Sequence, residues 1–126
     1  MILDTCFLIQ LQREFQKQRP GPAIAFLELR KEIRFSISVV SVTEFLEGFA
    51  DPETGERLLR HYDVLDIDSK VARQAALIRR HLRKSGELIG DFDILIAATA
   101  LIADLPLVTK DLQHFQRIQG LEVMTY

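Results

Sequence analysis

The feature that most constrains the fold of this chain is an alternation. Short apolar runs, "MIL" (1–3), "RFSISVVS" (34–41), "DVLDID" (63–68), "PLVT" (106–109) and "LEVMT" (121–125), are separated by stretches with helical spacing. Strands without long polar–apolar alternation are buried on both faces, the habit of parallel strands covered by helices. The pattern therefore predicts an α/β fold with a parallel sheet. Between the runs, Ile24, Leu27 and Ile33 mark an amphipathic helix after the "RPGP" break (19–22). A second helix is predicted from Ser41 to about Gly48, and a short one from Glu56 to His61. Val71, Ala75, Ile78 and Leu82 recur at helical spacing up to Gly86, which ends that helix. "DFDILIAATALIAD" is the last long helix, and Asp4 closes the first strand before a loop or helix opens at Thr5.

The 126 residues predict a single domain spanning 1–126. A formal net charge of −2 does not advertise nucleic-acid binding, although a balanced total can conceal a basic face and an acidic pit. Cys6 is the only cysteine, which excludes an intrachain disulfide and suits a reducing compartment. "MILDT" leaves no room for a charged and then apolar leader, and no apolar run is long enough to span a bilayer. A soluble cytoplasmic protein without membrane association is the expectation.

Ligand sites in open α/β sheets form outside the carboxyl ends of the strands. Four carboxylates are predicted to gather there. Asp4 ends the first strand, Glu44 and Asp93 lie in the first turns of their helices, and Asp111 follows the strand that ends near Val108. Each also has a structural reading. Asp4 and Asp111 are suited to capping a helix or turn. "SVTE" fits a capping box in which Ser41 caps the helix and Glu44 reaches back to it. Asp91, after Gly90, suits an N-cap, and Asp93 complements the helix dipole. If the four converge, their mutual repulsion calls for a cation among them. An all-oxygen set suits Mg2+ or Mn2+. His61, His81 and His114 are scattered, lack zinc spacing and read as surface or partly packed residues. Carboxylates around one or two such ions suit phosphodiester hydrolysis. No GxxxxGK[ST] loop is present, which argues against an NTPase.

"MILDT", "SVTEFLEG", "IGDFDILIAATA" and "LPLVTKDLQHF" occur in the order and spacing that resemble the PIN domain, in particular the VapC-type toxin ribonucleases of toxin–antitoxin modules. The resemblance covers essentially the whole chain. It implies a compact three-layer α/β/α fold and a Mg2+- or Mn2+-dependent endoribonuclease inhibited by a cognate antitoxin protein. It assigns catalytic and metal-holding roles to Asp4, Glu44, Asp93 and Asp111, with Thr5 and Thr109 as supporting hydroxyls and no role for Asp91. Ser41 joins the supporting set as the cap of the Glu44 helix. The reaction implied is in-line attack of water on an RNA phosphodiester, leaving a 5′-phosphate and a 3′-hydroxyl. A transfer RNA is the substrate suggested by analogy.

Grip on RNA requires local basic charge, for which Arg79, Arg80, Arg83 and Lys84 in "RRHLRK", with Lys110, are the candidates beside Arg13, Lys17 and Arg19. Phe7, Leu8, Phe45, Leu46 and Phe49 flank the acidic motifs as core or as part of a groove for an antitoxin helix. A homodimer is expected from the resemblance. Two alternatives are a non-catalytic RNA- or protein-binding module on the same scaffold and a response-regulator receiver domain. The receiver needs a paired acid near the first strand, where Asp4 stands alone.

Overall fold

A computed structural model describes the whole chain, residues Met1–Tyr126. In chain order the elements are β1 (Ile2–Leu3), α1 (Thr5–Gln16), α2 (Pro22–Glu28), β2 (Ser36–Ser38), α3 (Val39–Glu47), α4 (Pro52–Leu59), β3 (Asp63–Leu65), α5 (Ser69–Ser85), α6 (Asp91–Ala103), β4 (Leu107–Val108), α7 (Leu112–Phe115) and β5 (Val123–Met124). All strand pairs are parallel, in the order β3-β2-β1-β4-β5. The register sets Ile2 beside Ser36 and Leu107, and Leu3 beside Ile37 and Val108.

Because side chains alternate across a strand, this register sorts the core into two layers. Ile2 and Leu107 pack with Val71, Ile78, Leu82 and Ile96 under α5 and α6. Leu3, Ile37 and Val108 pack with Phe7, Phe26 and Phe45 under α1 to α4. Both faces of the sheet are covered, as the sequence predicts for an α/β/α sandwich; β1 and β4 are wholly apolar and buried, whereas β2 carries two buried serines, Ser36 and Ser38, around Ile37. No helix is long and apolar enough to cross a membrane.

The strands are shorter than the sequence suggests, and one boundary matters for function. Val39 and Val40 read as strand by their β-branching, yet they open α3. Ser38 is the last extended residue, at φ −75° and ψ 148°, and its Oγ accepts from Val40 N at 3.3 Å. Ser38, not Ser41, is therefore the cap, and the Ser41–Glu44 capping box does not form. Glu44 falls in the second turn of α3 rather than the first. Likewise Asp68 ends no strand. It caps α5, accepting from Lys70 N and Val71 N at 2.9 and 3.0 Å. α4 begins earlier than expected, at Pro52, where Asp51 accepts from Glu53 N and a proline at the first helical position lacks no bond. Gly86 closes α5 at φ 70°, as a left-handed cap should.

The start of α2 uses a device the sequence does not announce. Its N-cap, Gly21, has no side chain to offer. The carboxylate of Glu14, on α1, replaces it, accepting from Ala23 N at 3.2 Å, Ile24 N at 2.9 Å and Gln10 Nε2 at 2.8 Å. Glu14 is only 5% exposed. A Cβ on residue 21 would collide with Glu14 Oε1, so glycine is what lets the carboxylate reach those amides.

Candidate metal centre

The strand order fixes where a site can form. The chain leaves β1 for β2 and β3 on one side, then crosses to β4 and β5 on the other. The crevice of such a sheet lies at the carboxyl ends of the two strands where the direction reverses, here β1 and β4. Asp4 follows β1, and Thr109 follows β4.

Asp4 is 5% exposed and does two jobs. Its Oδ1 accepts from Thr5 N at 2.8 Å and caps α1. Its Oδ2 accepts from Thr109 Oγ1 at 2.7 Å and from the Cys6 thiol at 3.0 Å. Burial first, then the Asp4 charge, push the Cys6 thiol above its ordinary range, which keeps it a neutral donor. The Thr109 hydroxyl in turn accepts from Asp111 N at 3.0 Å. On the other flank, Thr5 Oγ1 donates to Glu44 Oε2 at 2.5 Å. The glutamate that does not close a capping box is thereby aimed at the β1 end.

Asp111 caps α7, accepting from His114 N at 3.2 Å. That single turn brings the His114 ring back over the cap, with Nδ1 2.9 Å from Asp111 Oδ2 and 3.2 Å from Asp93 Oδ2. Asp93 enters from the first turn of α6. One hydrogen-bonded chain thus runs Glu44, Thr5, Asp4, Thr109, Asp111, His114, Asp93. Within it the ligand atoms of Asp93, Asp111 and His114 lie within 4.8 Å of one another. Asp4 and Glu44 stand outside that tight group and join it through the two threonines.

Charge in this crevice is unbalanced. Burial, followed by the charge of Asp4, pushes the Asp93 carboxyl above its usual range; the hydrogen bond and charge of His114 pull it back, and Asp111 raises it again. None of the four acids forms an ion pair with lysine or arginine. Oxygen donors lacking a fixed cation are what a small divalent ion requires, so the residues present fit Mg2+ or Mn2+.

Other sequence expectations fare differently. Ser41 is fully buried in α3, and its Oγ has no hydrogen-bond partner. Asp91 is not an N-cap. Gly90 holds that position without a side-chain bond, and Asp91 instead pairs with Arg79. Arg79 is thereby tied to the start of α6, whereas Arg80, Arg83 and Lys84 stand exposed on α5 without ion pairs. Lys110 lies with Nζ 4.8 Å from the centre of the Tyr126 ring, a cation–π placement. Among the apolar residues flanking the motifs, Phe7 is wholly core, and Leu46 and Phe49 pack partly buried against the same cluster. Leu8 and Phe45 are buried too, but they floor a cleft of about 510 Å3 with Leu11, Phe15, Leu27 and Leu58.

His114, read from the sequence as a surface or partly packed residue, is partly buried, but its contacts with Asp111 and Asp93 were not foreseen. The signal was present in "DLQH": residues three apart share a helical face, so an aspartate cap delivers a histidine to its own side chain. The link to Asp93, 21 residues away, was not readable.

The PIN domain family matches residues 1–121. The chain is 32% identical over 129 residues to Ribonuclease VapC1 of Methanocaldococcus jannaschii, covering all of this chain and 86% of that protein. It is 33% identical over 95 residues to the tRNA(fMet)-specific endonuclease VapC of Shigella flexneri, covering 70% of this chain and 72% of that one. Among solved structures, it is similar to VapBC2 from Rickettsia felis bound to a DNA fragment from their promoter. That similarity has a TM-score of 0.83 and 25% identity, covering 99% and 97% of the two chains.

Proposed function

The chain belongs to the PIN domain family, and on that premise we propose that it is a VapC-type toxin, an endoribonuclease that hydrolyses RNA phosphodiesters with Mg2+ or Mn2+ and is restrained by a cognate antitoxin protein. The observation that carries this reading is the hydrogen-bonded chain joining Glu44, Asp4, Asp111 and Asp93 at the β1 and β4 ends, without a lysine or arginine to neutralise it.

Asp93 and Asp111 hold the cation, with Asp4 and Glu44 completing the carboxylate set. A bound divalent ion supplies a more acidic water and neutralises charge on the scissile phosphate. The chain's own part is orientation. Thr109 fixes Asp4 Oδ2 and the Asp111 backbone together, and Thr5 fixes Glu44 against the α1 cap. Because α6 and the sheet are rigid and buried, these oxygens keep their positions between turnovers. Ser41 has no hydrogen bond into this chain and takes no catalytic role in the mechanism.

Arg80, Arg83 and Lys84 provide the phosphate grip along α5, continued by Arg79 of the same helix, which pairs with Asp91 at the α6 start, and by Lys110 beside Thr109. Reversing Arg80, Arg83 and Lys84 to glutamate is expected to weaken RNA binding and to lower the salt-dependence slope by about 0.7 for each phosphate no longer neutralised. Filter-binding titrations at several salt concentrations read this directly, and an unchanged slope removes α5 from the footprint. The name of the Shigella flexneri relative supports a transfer RNA as the first substrate to test.

The apolar cleft between α1, α2, α3 and α4 supports an antitoxin segment as the partner. The Rickettsia felis structure, of a VapBC pair, supports the same reading. A homodimer and a cytoplasmic location belong to it as well. The experiment is a cleavage assay on cellular RNA with the purified chain. RNA is expected to be cut with Mg2+ or Mn2+, and spared with EDTA or with the cognate antitoxin added. Intact RNA in the metal arms, or cutting that EDTA leaves untouched, contradicts the proposal; the former is the behaviour of a non-catalytic binding module.

A further inference from the structure

We propose that His114 is a nitrogen ligand of the cation site and biases that site toward Mn2+ over Mg2+. The inference rests on the metal-dependent reading above and adds a donor to it. Nδ1 is the ring atom that faces the carboxylates, 2.9 Å from Asp111 Oδ2 and 3.2 Å from Asp93 Oδ2, and the three ligand atoms lie within 4.8 Å of one another.

The ring is held there by local structure rather than by chance rotation. Asp111 caps the turn through His114 N, which sets the backbone of residue 114. Phe115, the next residue, is fully buried in the layer under α5 and α6 and anchors that turn to the core. The turn therefore presents the imidazole at the mouth of the crevice, where Asp93 and Asp111 hold Nδ1 between them.

The chemistry decides between ions. Mg2+ prefers hard oxygen donors in near-ideal octahedral geometry and gains little from imidazole. Mn2+ stands at the weak end of the first-row series for nitrogen, but as a transition ion it takes an imidazole among carboxylates more readily than Mg2+ does. One imidazole among carboxylates thus shifts preference without excluding Mg2+. The competing role for His114 is a simple counter-ion to Asp93 and Asp111. That role has the opposite consequence, since removing a competing charge would make the acids more receptive to any cation.

The test compares the full-length wild type with His114→Gln and Asp93→Asn. Mn2+ affinity is read by electron paramagnetic resonance of the free ion, and Mg2+ affinity by competition. His114→Gln is expected to weaken Mn2+ binding about tenfold or more, while Mg2+ changes by less than about threefold. The nitrogen hyperfine coupling of protein-bound Mn2+ should be present in the wild type and absent from His114→Gln. Equal losses for both ions, a gain in affinity, or a wild-type spectrum without nitrogen coupling would overturn the inference. If only this inference is wrong, Asp93→Asn still loses both ions. If the wild type binds no divalent ion, or Asp93→Asn binds as tightly as wild type, the cation site itself is refuted.

Discussion

Asp93→Asn is expected to abolish Mg2+-dependent RNA cleavage, by more than about 100-fold, without lowering the melting temperature of the cation-free protein. The activity loss follows from removing a ligand, since even partners one shell removed from a metal cost 10–100-fold. The stability result follows from the electrostatics of the crevice. Burial and the neighbouring charges of Asp4 and Asp111 raise the Asp93 carboxyl above its usual range, against the pull of His114. A carboxyl with a raised folded value favours the fold when protonated, below the ordinary aspartate range. That contribution is lost as pH rises through the raised value. At neutral pH the ionised side chain is therefore a strain that a neutral amide relieves, and Asn retains an oxygen for the His114 bond. The melting temperature at pH 7 in EDTA should be equal to or above that of wild type, and only the wild type should gain stability when Mn2+ is added. Full activity in the variant would remove Asp93 from the mechanism. A large fall in melting temperature would mean that the residue is structural.

Glu14→Ala is expected to produce the largest loss of stability, about 3 kcal/mol, because it strands Ala23 N and Ile24 N without an acceptor. For a domain of this size that corresponds to a fall of about 10 °C in melting temperature. Glu14→Gln should lose less, since an amide oxygen still accepts from one of the two. The pH dependence has a definite sign. Burial alone would raise the Glu14 carboxyl, but the bonds from Gln10 and the Ile24 and Ala23 amides outweigh it and hold the group below its ordinary range. A lowered folded value stabilises the protein above the ordinary glutamate range and is lost as pH falls through it. Thermal melts between pH 7 and pH 3 should therefore converge for wild type and Glu14→Ala as acid is added. A constant gap across that range, or none at pH 7, contradicts the assignment. The clasp also bears on function, since α1 and α2 supply Leu11, Phe15 and Leu27 to the apolar cleft.

How far the sequence reached is best seen residue by residue. The placement of Asp4, directly past one apolar run, and of Asp111, three residues past the end of another, was legible because parallel strands present their carboxyl ends together. Asp93 was legible because the apolar stripe from Ile94 fixes the start of α6. Glu44 does reach the β1 end, but not for the reason its sequence context suggested. The valines at 39 and 40 carry strand propensity, so the helix start was set too late and a capping box was expected. The structure gives the cap to Ser38 and frees Glu44 to meet Thr5. Tertiary context overrode local propensity there, as it did at Asp91, which pairs with Arg79 instead of capping. His114 and Glu14 were out of reach for another reason. Their value lies in partners, Asp93 and the α2 amides, that only the folded chain brings near.

The central claim is that these side chains meet around one hard cation. A crystal of the full chain soaked in Mn2+ and measured at a wavelength where manganese scatters anomalously tests it most directly. The account predicts an anomalous peak in the crevice beyond β1 and β4, within coordination distance of Asp93 and Asp111, with His114 Nδ1 turned to it. A well-ordered map with no peak there, or with manganese bound elsewhere and Asp93 still free, would contradict it.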